Sequence, residues 1–285
     1  EMLLNAVDMA ETEGWKGVVI GNDAANFCAG ANLGLALFAA NLAAWKDLDD
    51  FIGLGQDTYQ TLKYSEVPIV AAAAGLCLGG GAEVLMHCDA VQAHSESYVG
   101  LVEVGVGIIP AWGGCKEYLG RVKEFGLVPN GPMGAVMKAF EVIGTAQVAK
   151  SAEQARSMGF LSPNDRITMN RDRLLADAKK LLLDISEGYV PPEPRTYSLP
   201  GVSGKAALQL AVNDLALSGK VTPHDIIVTN ALAEILSGGN TDVTELLQED
   251  DILAMEKKTI AKLAKNTDTL DRMQHMLETG KPLRN

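Results

Sequence analysis

Two glutamates and three glycine-bearing loops carry the residues of this chain whose types and spacing suit chemistry. Glu83 ends the run Gly75-Leu-Cys-Leu-Gly-Gly-Gly-Ala-Glu83, and Glu103 stands in Gly100-Leu-Val-Glu103-Val-Gly-Val-Gly-Ile-Ile-Pro110-Ala-Trp-Gly-Gly114. Upstream, Asn26-Phe-Cys-Ala-Gly-Ala-Asn-Leu33 is again small and glycine-bearing. Paired carboxyl groups can donate and accept protons. Backbone N–H groups at the start of a helix lack intrahelical partners, and with the helix dipole they stabilise charge developing on an oxygen. Gly79, Gly80 and Gly81 place no Cβ in the way of a ligand approaching that backbone. Each piece also has a plainer reading. A glycine triplet can be only a tight turn, and a first-turn glutamate can be only a solvated complement to the dipole. Glu103, between Val102 and Val104, is the more unusual acid because its surroundings are apolar. It is the three loops in this order that point to an enzyme.

The elements that must carry these loops follow from periodicity. Apolar residues at helical spacing over Glu1 to Gly14 predict a helix, and Gly17-Val-Val-Ile20 predicts a short buried strand. A helix from about Asp49 to Tyr64 leads to a second strand, Val67-Pro-Ile-Val-Ala-Ala-Ala-Ala74. The triple glycine then opens a helix ending near Cys88, followed by a third strand at Ala90-Val-Gln-Ala93. This alternation predicts an α/β layered fold with a mostly parallel sheet. From Met133 onward helical periodicity dominates, with helices expected near 145–158, 170–186, 203–218, 223–237 and 243–279, the last interrupted near Asn266. The chain opens inside a helix, which suggests a segment of a longer polypeptide. The expected division is residues 1–165 as an α/β core lacking its first strands, and 166–285 as a helical C-terminal region.

Composition narrows the partners. A chain of 285 residues with 47% hydrophobic residues can bury a substantial core. Its formal charge of −12 argues against nucleic acid or an anionic membrane surface. Cys28, Cys77, Cys88 and Cys115 form no close pairs of the kind that bind zinc, and neither do His87, His94, His224 and His275. No metal site is therefore expected, and unpaired cysteines without a signal sequence suggest a reducing, cytoplasmic setting. Ala24 to Trp45 carries no charge, but its asparagines and glycines favour a loop and helix over a membrane span.

Taken together, the motifs resemble the crotonase (enoyl-CoA hydratase/isomerase) superfamily over roughly residues 1–165. The resemblance rests on Phe27-Cys-Ala-Gly-Ala31, then Gly79-Gly-Gly-Ala-Glu83, then Glu103 followed by Gly107-Ile-Ile-Pro110 and Gly113-Gly114. It implies a ββα superhelix, with a C-terminal all-helical extension here, assembling into trimers or pairs of trimers. It implies an oxyanion hole from the N–H groups of Ala31 and Gly80, gripping the oxygen of an acyl-CoA thioester. Glu83 matches the acid that activates water and Glu103 the acid that exchanges a proton at C2. Ala29, Gly30, Asn32, Leu33, Gly79 and Ala111 fall at substrate-contacting positions. Retention of both acids favours hydration of trans-2-enoyl-CoA in fatty-acid β-oxidation. Double-bond isomerisation and a non-catalytic CoA-binding or assembly module are the alternatives. Two close carboxyl groups are expected to titrate as a coupled pair.

The C-terminal half is longer than a lone hydratase requires. It resembles the hydratase-like part of fused proteins that also carry an NAD-dependent 3-hydroxyacyl-CoA dehydrogenase, which would then precede Glu1. No Gly-x-Gly-x-x-Gly sits in a strand–turn–helix setting, so no NAD site is expected within these residues. A homo-oligomer or a place in a multienzyme complex follows from the same resemblance. Asn32 departs from the aspartate usual at its position, and Ala111 and Trp112 replace smaller residues. Trp112 either reshapes the acyl pocket or is core packing. Leu33 to Trp45, with Leu37, Phe38, Leu42 and Trp45 on one face, either walls an apolar tunnel or is an ordinary buried helix. Lys46 and Lys63 either hold coenzyme phosphates or are plain solvated charges.

Overall fold

The computed structural model describes residues 1–285. In chain order the elements begin α1 (Met2–Thr12), β1 (Val18–Ile20), α2 (Leu33–Asn41), α3 (Trp45–Lys63), β2 (Ile69–Leu78), α4 (Gly80–His87) and β3 (Ala90–Gly100). A 3-10 turn (Glu103–Val106), α5 (Gly114–Glu124), α6 (Pro132–Gly144), α7 (Ala152–Met158) and β4 (Arg166–Thr168) come next. After a second 3-10 turn (Arg171–Arg173) follow α8 (Leu174–Ser186), β5 (Thr196–Ser198), α9 (Gly201–Leu217) and α10 (Pro223–Ser237). The chain closes with β6 (Leu246–Gln248), α11 (Glu249–Leu263) and α12 (Thr267–Thr279). These elements form two compact units, one of residues 1–30, 54–100 and 148–194, the other of 31–53, 101–147 and 195–285.

The first unit is built on a parallel sheet in the order β1-β2-β3-β4. Every residue of β2 from Ile69 to Ala74 is buried, as a parallel strand covered on both faces requires. Val70, Ala72 and Ala74 point one way and pack with Leu174, Ala178, Leu181 and Leu182 of α8. The alanines let that helix approach closely. β2 and β3 run longer than the apolar runs predict because both continue past an irregularity between Ala73 and Gly75. There Gly75 adopts φ +63°, and a Cβ on it would lie 2.3 Å from the Ala25 carbonyl oxygen. That vacancy lets the 26–28 segment join the sheet edge. Leu76 N donates to Asn26 Oδ1 at 3.0 Å, Cys28 N to Leu76 O at 3.0 Å, and Leu78 N to Cys28 O at 2.9 Å.

The second unit is mainly helical, and the helices beyond residue 166 divide between the units, α8 in the first and α9 to α12 in the second. It also contains a two-stranded antiparallel ladder of β5 and β6. Such three-residue strands are too short to leave an alternation in the sequence. Thr222 caps α10 through a reciprocal pair with Asp225, with Pro223 in the first turn. Asn266, where the last helix was expected to break, caps α12 by accepting from Asp268 N. The helix expected over 145–158 starts only at Ala152, because Ala149 pairs instead with Val99 through reciprocal backbone bonds in the first unit.

A buried ionic cluster ties α5 to β5 and α11. The Lys116 ammonium, wholly buried, contacts Glu249 Oε2 at 3.0 Å and Glu117 Oε1, while Arg195 reaches Glu117 Oε2 at 2.7 Å. Burial disfavours the lysine's charge, but the two carboxylates outweigh it and its pKa is raised. No helix is long and apolar enough to cross a membrane. The uncharged stretch from Ala24 to Trp45 is a loop followed by the nine-residue α2.

Gly75→Ala is expected to cost roughly 2–4 kcal/mol, since it adds both a left-handed backbone strain and a steric overlap. Denaturant unfolding of the variant measures this; an unchanged midpoint would contradict the close approach of Ala25.

Candidate active site

α4 begins where β2 ends. Gly79 takes φ +55° and ψ −125°, and its N–H donates to Gly100 O at 2.9 Å, so the chain turns sharply from strand into helix. Gly80 and Gly81 form the first turn, whose N–H groups lack intrahelical acceptors. A Cβ at Gly81 would sit 2.5 Å from Cys28 O, which shows how tightly the upstream loop lies against this turn. Gly30, at φ +104°, lies on the same side; a Cβ there would be 3.4 Å from Leu78 O and 3.9 Å from Gly80 N. Of the candidates named from the sequence, Gly30 thus lies beside the amide end of α4, and Ala29, which precedes it, is exposed. Glu83 follows in the same first turn, 2% exposed, where the helix dipole favours an anion.

Two further side chains hold this helix. Tyr59 of α3 donates its hydroxyl to Gly80 O at 3.0 Å. The His87 ring, 1% exposed and stacked at a tilt on Tyr59, contacts Glu83 O through Nδ1 at 2.7 Å. A carbonyl only accepts, so Nδ1 carries the proton. The sequence reading of His87, confined to its lack of metal-ligand spacing, gives no hint of this supporting bond. Its place four residues after Glu83, on the same helix face, was the available signal. No comparable signal links Tyr59 to Gly80, since helical periodicity does not say which loop a side chain reaches.

The remaining candidates belong to the second unit. Ala31, Asn32 and Leu33 lead into α2, with Ala31 and Asn32 exposed and Leu33 half-buried. The Asn32 side chain caps that helix, accepting from Gly34 N at 3.0 Å and Leu35 N at 3.3 Å. This accounts for asparagine where aspartate is usual, because either side chain can accept both bonds. α2 is not an ordinary buried helix. Only Ala40 is buried in it, whereas Leu35 and Phe38, and Leu42 at its C-cap, are exposed. Its apolar residues are spread around the axis, and packing covers too few of them.

Glu103 opens the 3-10 turn and is half-buried. The turn ends at Gly107, whose φ of +81° lets its N–H reach back to the carbonyls of Glu103 and Val104. Beyond it Ala111 is buried, and Trp112 meets the ring of Phe51 edge-on at 5.5 Å, which gives Trp112 a packing partner. Glu256 of α11, fully buried, accepts from Gly113 N at 2.8 Å and Lys116 N at 3.1 Å, fixing the start of α5. The two lysines part company. Lys46 is exposed and ion-paired with Asp50, while Lys63 is buried with its ammonium 5.2 Å from the Tyr64 ring centroid, so it is no plain solvated charge. No group of three or more His, Cys, Asp or Glu side chains could hold a metal ion.

This chain is similar to known proteins over all or part of its length. A family model described as enoyl-CoA hydratase/isomerase matches residues 1–123. A probable 3-hydroxyacyl-CoA dehydrogenase of Bacillus subtilis (strain 168) is 41% identical over 280 residues, covering 97% of this chain and 35% of that protein. A crotonyl-CoA hydratase of Syntrophomonas wolfei is 31% identical over 164 residues, covering 58% of this chain and 55% of that one. The chain spans about a third of the length of the first curated relatives it matches. The crystal structure of an enoyl-CoA hydratase from Bacillus halodurans superposes with a TM-score of 0.63 at 20% identity, covering 96% of this chain and 87% of the other. At that identity the likeness establishes the fold alone.

The capping role of Asn32 yields a direct test. Asn32→Ala is expected to cost about 1 kcal/mol and Asn32→Asp only a few tenths, by chemical denaturation. Equal losses in both would remove the cap from the account.

Proposed function

We propose that this chain, which matches the enoyl-CoA hydratase/isomerase family over residues 1–123 and shares the fold of an enoyl-CoA hydratase, adds water across the double bond of trans-2-enoyl-CoA thioesters, giving 3-hydroxyacyl-CoA in fatty-acid β-oxidation. The observation that carries this reading is the amide end of α4, opened by glycines, with the buried Glu83 in its first turn and Gly30 pressed alongside. Gly80 N–H and Ala31 N–H hold the thioester oxygen. Polarisation of that carbonyl withdraws electrons from the C2–C3 bond and makes C3 electrophilic. Glu83, ionised, takes a proton from water as the water oxygen bonds to C3. The electron pair of the double bond moves to C2 and takes a proton from Glu103, which starts protonated. One proton leaves water and one reaches carbon, so the acids exchange states and re-equilibrate with solvent before the next turnover.

Ala29, Gly30, Asn32, Leu33, Gly79 and Ala111 are proposed to border the substrate, some by backbone alone. The exposed Leu35 and Phe38 of α2, with Leu42 at its C-cap, are proposed to face the acyl tail. Residues 1–165 then form the crotonase-like core and 166–285 the helical region supporting it. Hydration yields the substrate of a 3-hydroxyacyl-CoA dehydrogenase, and a relative bearing that name is about three times the length of this segment. An NAD-dependent dehydrogenase domain elsewhere in the same polypeptide is therefore part of the proposal, as are a homo-oligomeric assembly and a cytoplasmic setting. No cofactor is assigned to these residues, and coenzyme A enters only as the substrate's thioester.

The test is loss of the conjugated enoyl-thioester absorbance when the full-length protein is added. Glu83→Gln and Glu103→Gln are each expected to lower turnover at least about 100-fold while acyl-CoA binding persists. Undiminished turnover in either variant would sink the corresponding role. A 3-enoyl substrate converted to the 2-enoyl isomer, with no hydration, would establish isomerisation instead.

A further inference from the structure

The turn that carries Glu103 is held from below by a chain of buried polar groups on α10 and α12. Thr269, wholly buried near the start of α12, donates its hydroxyl to Gly107 O at 3.0 Å. The Thr269 hydroxyl oxygen itself lies 2.9 Å from Nε2 of His224, wholly buried at the start of α10. A hydroxyl has one proton, and here it goes to the Gly107 carbonyl, so Nε2 of His224 must be the donor in the second bond. Nδ1 is then the unprotonated nitrogen of a neutral ring. Burial disfavours the imidazolium and the nearby Arg272 guanidinium opposes it further, against weaker pulls from Asp268 and Asp225, so the pKa of His224 is lowered. Arg272, 2% exposed, adds a longer bond to Val104 O at 3.4 Å and is anchored by Asp225 Oδ1 at 2.8 Å and Asn285 Oδ1 at 2.7 Å.

Two carbonyls of one short turn are therefore tied to side chains more than 160 positions later in the sequence. The approach is close. A Cβ at Gly107 would lie 3.0 Å from His224 Nε2 and 3.1 Å from both Cα and Oγ1 of Thr269. A 3-10 turn has poorer hydrogen-bond geometry than an α-helix and does not hold its own orientation well. Proton transfer to a particular carbon, in contrast, depends on placement to within about an ångström.

We infer that Thr269, backed by His224, is a positioning residue for the proton-exchanging acid Glu103, acting through the Gly107 carbonyl. The inference rests on the hydratase reading of Glu103 and assigns to α10 and α12 a part in turnover as well as in folding. Neither Thr269 nor His224 touches substrate in this account; the pair sets the direction in which the Glu103 carboxyl is presented.

The experiment uses the full-length protein and a short trans-2-enoyl-CoA. Thr269→Val keeps the shape and removes the hydroxyl. It is expected to lower kcat at least about tenfold while KM changes less than about twofold, because only placement in the transition state is lost. Thr269→Ser, which keeps the hydroxyl, is expected to restore kcat to within about threefold of the parent. If Thr269→Val does not fold, His224→Phe and His224→Gln read the same bond. Gln can donate from Nε2 and is expected to retain turnover that Phe loses. A folded Thr269→Val with parental kcat, however reduced its melting temperature, overturns the inference, as does equal turnover in the two His224 variants. Glu103→Gln run alongside separates the two ideas. If it stays active, the hydratase role of Glu103 fails. If it is inactive while Thr269→Val turns over normally, only the positioning role fails.

Discussion

Close approach of backbone to backbone is the constraint on which the first unit depends. At Gly75 and Gly81 the 25–28 segment comes so near β2 and α4 that any Cβ would fall within 2.5 Å of a carbonyl oxygen. This contact lets Cys28 pair with β2 and sets Gly30 next to the Gly80 nitrogen. With side chains at Gly75 and Gly81 the loop would be displaced outward, and the amide end of α4 would face solvent. Water would then compete for those N–H groups and weaken their hold on a developing negative charge. Glycine is used here for distance, and at Gly75 for its positive φ as well.

The second unit answers the same need with polar side chains. Glu256 satisfies the start of α5, Lys116 and Arg195 neutralise the buried Glu117 and Glu249, and Arg272, Thr269 and His224 bind the turn around Glu103. Buried ionic groups seldom add much net stability, since the desolvation cost offsets most of the attraction. Their geometry is strongly specified, however, because leaving any member unpaired is costly. Such a network suits a region that must hold a short, intrinsically loose turn in one orientation.

Much of the fold was legible in the sequence where the signal is local. The strand at Gly17-Val-Val-Ile20, the strand–glycine–helix step before Glu83 and the interruption at Asn266 each follow from periodicity or capping within a few residues. The sheet was underestimated because β2 and β3 lose their apolar pattern beyond Gly75, where pairing is dictated by the incoming 26–28 segment. β5 and β6 were invisible for want of length. In the candidate site, the acids and glycines stood out by type and spacing. The side chains that hold them did not, since Tyr59, Glu256, Thr269 and Arg272 reach their targets across 21 to 168 positions. Asn32 looked like a departure at a binding position, and its capping bonds became visible only once α2 had a defined first turn.

The C-terminal helices would be a spacer if they packed only with one another. Their bonds to Gly107, Val104 and Gly113 argue otherwise, because each ends on the backbone that presents Glu103 or leads from it into α5. A spacer tolerates drift in sequence as long as it stays helical. A support of this kind constrains the buried polar residues and the glycine they press against, since loss of one partner strands the other.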